Sequence, residues 1–139
     1  MIWKKDFKID DLNQEQYGHF INPFDIEYIE KGDDYLIARM PVAPKTLQPM
    51  GLLHGGVSVY LAESIGSFAG HFCLDNEKKT IVGLEINANH IRGVKKGYVY
   101  AKAKAIHIGG KTHVWSIEIT NEEKKLVCVC RLTLAVIAI

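Results

Sequence analysis

The stretch GLLHGGVSVYLAESIGSFAGHFCL, residues 51–74, decides the fold. Within it Val57, Leu61, Ile65, Phe68 and Phe72 recur every three or four positions, which is the period of an α-helix. His54-Gly55-Gly56 marks the point where the preceding loop becomes that helix. Between Lys45 and Asp75 the only formally charged side chain is Glu63. A membrane span needs about twenty predominantly apolar residues. Glu63, Ser58, Ser64, Ser67 and several glycines interrupt this run, so it reads as a buried helix of a globular domain and not as a span.

Upstream of the helix, Asp25 to Glu30 and Tyr35 to Met40 are strand-like and are joined by Lys31-Gly32-Asp33-Asp34, a turn composition suited to a hairpin. Residues 9 to 17 can form a short amphipathic helix serving as a lid or edge cover, before a loop marked by Gly18, Asn22 and Pro23. A second loop carrying Pro41, Pro44 and Pro49 leads into the long helix. Downstream the period shortens to two, or to short apolar runs, over Thr80 to Ile91, Tyr98 to Ile108, His113 to Thr120 and Leu126 to Ile137. Turns at Gly93 to Gly97, Gly109 to Lys111 and Asn121 to Lys125 divide these strands. In the third strand His113, Trp115, Ile117 and Ile119 share one face, so one side of the sheet is expected to be buried. Two strands, one helix and four further strands make an α+β domain, an antiparallel sheet wrapped around one long central helix. A helix that is apolar on most faces needs more cover than one small sheet supplies, which points to a second subunit.

Composition narrows the function. At 139 residues and 47% apolar content the chain, residues 1–139, is one domain with a substantial core. Seventeen basic against sixteen acidic residues leave a charge of +1, which provides no field for a nucleic-acid backbone. The first residues, MIWKKDFKIDD, lack the apolar stretch of a signal peptide, so a cytoplasmic location is expected. Three cysteines, Cys73, Cys128 and Cys130, read as reduced thiols packed as small apolar groups.

Glu63 is the strongest chemical signal. A buried lone carboxylate is costly unless something requires it, whereas on a solvent stripe it would need no explanation. Ser67 lies one turn on, at i+4, where its hydroxyl can share Glu63's side or serve only as a small packing residue. At the helix start, unpaired N–H groups and the absence of a side chain make the Gly55 N–H a candidate oxyanion donor. His54 is then either a cap or an orienting group, and Gln48 offers a neutral amide from the same loop. Six histidines yield no pair at metal-ligand spacing, and no G-x-S-x-G elbow, phosphate loop or dinucleotide fingerprint is present. No metal and no cofactor is expected.

Taken together, QPMGLLHGGVSVYLAESIGSFAG and VGLEINANHIR resemble the hotdog-fold acyl-CoA thioesterases over almost the whole chain. The resemblance is narrowest to the branches that hydrolyse 1,4-dihydroxy-2-naphthoyl-CoA or proofread enterobactin synthesis. It implies hydrolysis of an acyl-CoA, aromatic in the first instance (1,4-dihydroxy-2-naphthoyl or benzoyl-type), with a place in menaquinone biosynthesis. The alternatives are clearance of misacylated carrier protein, or an acyl-CoA-binding module without catalysis. Coenzyme A would belong to the substrate. Two subunits would join edge to edge, and two dimers would stack into a homotetramer. By position the resemblance assigns the catalytic carboxylate to Glu63, the oxyanion donor to Gly55 and supporting roles to Gln48, His54 and Ser67. Coenzyme A contacts would fall on Gly83, His90, Arg92, Gly93, His107, Gly109, Gly110, Lys111 and Thr112. Phe68 would border the acyl pocket. Met50 and Phe68 depart from the family's usual residues and bear on acyl specificity.

Overall fold

The computed structural model describes residues 1–14 and 21–139. A short helix α1 (Ile9–Leu12) precedes strands β1 (Glu27–Lys31) and β2 (Tyr35–Pro41), and a 3-10 turn spans Pro44–Thr46. The long helix α2 (Gly55–Phe72) follows, then β3 (Lys79–His90), β4 (Tyr98–Ile108), β5 (Thr112–Thr120) and β6 (Leu126–Ala138). The six strands form one antiparallel sheet in the order β1-β2-β4-β5-β6-β3. This is the α+β hotdog arrangement expected from the sequence. No described helix is long and apolar enough to cross a membrane.

The sheet's concave face grips α2. Leu36 and Met40 from β2, Val99 from β4, Trp115 and Ile117 from β5, and Leu132 and Leu134 from β6 are fully buried, as are Leu61, Ile65 and Ala69 of the helix. Strand alternation produces this: in β5 His113, Trp115, Ile117 and Ile119 are all buried, while Glu118 between them is exposed. Gly66 and Gly70 explain how closely helix and sheet approach. A Cβ on Gly66 would lie 2.5 Å from Leu132, and one on Gly70 would lie 2.6 Å from Leu134. Close contact there outweighs the helix-propensity cost of glycine, about 1 kcal/mol each relative to alanine. Cys128 and Cys130 are buried free thiols with sulfurs 3.6 Å apart.

Both ends of α2 are closed by hydrogen bonds, one to the backbone and one to a side chain. At its C-terminus the N–H groups of Lys4 and Lys5 donate to Phe72 O, at 2.8 and 3.2 Å, and Phe7 stacks on Phe72 at 4.0 Å. At its N-terminus the His54 Nδ1 accepts from Gly56 N at 2.9 Å. The predicted helix over 9 to 17 is shorter: it ends at Leu12, and residues 15–17, like Gly18, lie outside the described residues. Its edge-covering role is explicit in Asn13. The Asn13 amide donates to Tyr28 O and accepts from Tyr28 N, both at 2.7 Å, mimicking a neighbouring strand on the outer edge of β1. The first strand begins at Glu27 and not Asp25, because Asp25 sits at φ +56°, outside the extended region. The other edge strand, β3, pairs with β6 on one side only.

Candidate active site

β3 runs alongside α2 in the opposite direction. Three close approaches fix this: Ile81 and Gly70, Gly83 and the Glu63 carboxylate, and His90 and Gly55. The consequence is two clefts, one beside each half of α2.

The first cleft, about 450 Å³, is lined by Tyr60, Glu63, Ser64, Ser67, Phe68 and His71 of α2 and by Thr80 and Ile81 of β3. Two helical rows make its wall, Tyr60–Ser64–Phe68 and Glu63–Ser67–His71, each spaced i, i+4, i+8. Glu63 is half-buried here, not enclosed, which corrects the expectation of a buried lone carboxylate. The helix tilts its stripe onto the open flank of β3, so the carboxylate meets the cleft. A Cβ on Gly83 would collide with Glu63 Oε1, so glycine at that position makes room for the carboxylate. Phe68 meets Tyr28 edge-on at 5.3 Å and Tyr60 meets Phe24 edge-on at 5.2 Å. Burial raises the Tyr60 phenol's pKa, with Ser64 opposing. The Tyr28 hydroxyl, behind Phe68, is buried without a partner among the described residues, and burial followed by the charge of Tyr60 raises its pKa strongly. His71 is held below the ordinary histidine range by burial and then by Lys5.

The second cleft, about 310 Å³, brings together Gln48, Gly55, His90, Arg92 and Gly93 with Leu52 and Ile91. The Gly55 N–H, first in the helix, has no acceptor among the described residues. The Gln48 carbonyl oxygen accepts from Met50 N, which leaves its NH₂ as the free end of the amide. Because His54 Nδ1 accepts from Gly56 N, a neutral His54 ring carries its proton on Nε2. His54 is exposed beside this cleft. Arg92 is tied by Nη1 to Leu126 O at 2.8 Å, and Gly93 lies against Leu52.

The remaining positions fall elsewhere. His107, Gly109, Gly110, Lys111 and Thr112 form the β4–β5 turn at the far end of the sheet, where Gly109 and Gly110 line a cleft with Cys73, Lys79 and His113 beside the C-terminus of α2. Gly109 N donates to Thr112 O at 2.9 Å, and Lys111 O accepts from Val136 N at 2.9 Å. Within one chain, then, the turn and the Arg92 cluster stand at opposite ends of β3. Glu63 and Gly55 are likewise separated: eight residues of helix put them about 12 Å apart along its axis. Tyr60, Ser64, His71, Thr80 and Ile81 were missed by sequence reasoning, although the i, i+4, i+8 rows through Glu63 and Phe68 could have identified the three on α2.

Comparison with known proteins agrees with the fold. Residues 50–128 match the Thioesterase superfamily. The chain is 49% identical over 137 residues to the 1,4-dihydroxy-2-naphthoyl-CoA hydrolase of Escherichia coli, covering 99% of this chain and 100% of that one. A crystal structure of a thioesterase from Haemophilus influenzae superposes with a TM-score of 0.93 at 52% identity, covering 99% of this chain and 96% of that one. A variant thioesterase from Pseudomonas aeruginosa superposes with a TM-score of 0.95 at 43% identity over the whole of both chains.

Proposed function

Because the chain belongs to the thioesterase superfamily and is a thioester hydrolase, we propose that it hydrolyses an aromatic acyl-CoA at sites each assembled from two copies of the chain. The observation that carries this reading is the separation of Glu63 and the Gly55 N–H into different clefts. An oxyanion donor must lie about 3 Å from the carbonyl oxygen. Within one chain Gly55 cannot serve a carbonyl that Glu63 attacks.

A second copy resolves the mismatch. β3 offers an unpaired edge, with Val82 42% and Leu84 64% exposed, and such an edge invites another strand. Antiparallel pairing of two β3 strands about a two-fold axis sets the Lys79 end of one beside the His90 end of the other. The partner's Gly55 and Gln48 then approach the cleft of Glu63. The same operation brings the β4–β5 turn of one copy toward Arg92 of the other, so the coenzyme A contacts also converge. Stacking of two such dimers gives the tetramer, and the cytoplasm is the compartment that suits three reduced thiols and a coenzyme A ester.

The chemistry follows from this arrangement. Glu63 either adds to the thioester carbonyl, expelling the coenzyme A thiolate and leaving an anhydride that water cleaves, or takes a proton from water that adds instead. In the first route the thiolate takes its proton from the water that later cleaves the anhydride, and in the second Glu63 returns to it the proton taken from water; both release the acid, and the partner's Gly55 N–H stabilises the oxyanion. The Gln48 NH₂ and His54 Nε2–H orient the thioester, and Ser67 steadies Glu63 or the water. Tyr60, Phe68 and Ile81 favour a flat acyl group. The naphthoyl thioester named for the Escherichia coli relative is such a group, which supports a role in menaquinone biosynthesis.

Hydrolysis of benzoyl-, naphthoyl- and palmitoyl-CoA and of one carrier-bound aryl thioester tests this reading. Aryl-CoA should be preferred, and Glu63→Gln should lower kcat by on the order of a thousandfold while the oligomer persists in sedimentation. Preference for palmitoyl-CoA, or near-normal turnover by Glu63→Gln, would overturn it.

A further inference from the structure

The Glu63–Ser67–His71 row places a histidine in the same cleft as the carboxylate, two turns further on and about 12 Å along the helix axis. His71 marks the end of α2, where the N-terminal segment closes over Phe72 through the Lys4 and Lys5 N–H groups. Its ring stands edge-on to Phe72 at 5.3 Å, which fixes its plane. The ring is half-buried and lines the cleft. Burial and the nearby Lys5 disfavour protonation, so the neutral ring offers one donor and one acceptor. Around it the cleft presents carbon from Phe68 and Ile81 and the hydroxyls of Ser67 and Thr80.

From this geometry we propose that His71 is a specificity-determining residue: it hydrogen-bonds an oxygen substituent on the acyl ring at the end remote from the thioester. The enzyme thereby selects hydroxylated or oxo-substituted aromatic acyl groups over plain hydrocarbon ones. The inference rests on the reading of this cleft as the acyl pocket of Glu63. With the thioester carbonyl at Glu63, the ring lies along Ser67 and Phe68, and a substituent on its far side points at His71. A polar group left facing an unsubstituted ring loses its solvent and gains nothing, so hydrocarbon analogues are penalised. His71 stands two turns from the reacting carbonyl, so its effect lies in discrimination between substrates and not in the bond-breaking step.

Values of kcat/KM for 4-hydroxybenzoyl- and 6-hydroxy-2-naphthoyl-CoA, each against its unsubstituted counterpart, test the proposal in wild type, His71→Phe and His71→Gln. At least one hydroxylated member should be preferred by wild type about tenfold or more. That ratio should fall toward one in His71→Phe and partly return in His71→Gln, which restores a donor and an acceptor. Should phenylalanine lower Tm, His71→Leu reads the same ratio. An unchanged ratio in the apolar variants would overturn the role of His71 alone. Failure of wild type to hydrolyse any of the four would overturn the acyl-pocket reading, and this inference with it.

Discussion

Replacing Gly55 by proline deletes one hydrogen-bond donor and little else. Gly55 is the first residue of α2, where the N–H has no intrahelical acceptor and proline is favoured. His54 sits at φ −65°, ψ 126°, the extended conformation that a following proline requires. The neighbouring bonds survive, because His54 N still donates to Thr46 O at 2.8 Å and Gly56 N to His54 Nδ1 at 2.9 Å. The added Cβ stands 2.9 Å from His90 Nε2, the tip of an exposed side chain that can swing away, and the ring Cδ takes the place of the N–H hydrogen. Gly55→Ala adds the same Cβ and keeps the N–H, so the difference between the two variants reports the exchange of the donor for the ring methylene. Loss of one oxyanion donor costs roughly 100- to 1,000-fold in kcat, about 3 to 4 kcal/mol. Gly55→Pro should therefore fall that far below Gly55→Ala, with Tm nearly equal. Mixing Gly55→Pro with Glu63→Gln under conditions that reassort subunits adds a second readout. About half the dimers become hybrids, each with one intact site of two, so about a quarter of wild-type activity should return. Steady-state assay of both variants and the mixture decides the matter. Equal kcat for proline and alanine would refute the oxyanion role, and a mixture no more active than its parts would refute the shared site.

Two further outcomes follow from the same contacts. Gly83→Ala should push the Glu63 carboxylate aside, because the added Cβ meets Oε1 at the end of a flexible side chain. Turnover should drop on the order of 100-fold, with Tm held within a few degrees, since small misplacements of reacting groups cost that much; normal kinetics would show that Glu63 works from another rotamer. Stability should decline on acidification. His113 is buried with Nδ1 unpartnered among the described residues, and burial followed by His107 lowers its pKa from 6.5. A depressed folded-state pKa means stability is fully present above about 6.5 and is lost as pH falls toward the folded value, because the unfolded chain takes up the proton first. His71 contributes with the same sign. Tm should fall between pH 7.5 and 5.5, and His113→Gln should flatten that slope; an identical slope in the variant would remove His113 from the account.

The helix and the four downstream strands were legible because each is long and each follows one period, 3.6 in α2 and two in β5. Local chemistry blurred the rest. The Asp25 boundary depends on a positive φ, and the 3-10 turn over Pro44–Thr46 on Thr46 Oγ1 bonding Ala43, neither of which leaves a periodic trace. Glu63 stood out as the one charge in a long uncharged run, and Gly55 as the helix entry, so the proposed participants were readable one at a time. Their assembly was not. Spacing along a helix gives distance within one chain, and for Glu63 and Gly55 that distance is too long for joint action on one carbonyl. What could bring them together is the exposed edge of β3, a strand whose residues on both faces look polar-interrupted and unremarkable in sequence. A two-fold axis at that edge adds no motif to the chain, because it reuses residues already present in a second orientation. A catalytic set that looks complete in one sequence can therefore be incomplete in one molecule, and the clue is the mismatch between helix rise and the reach of a single carbonyl.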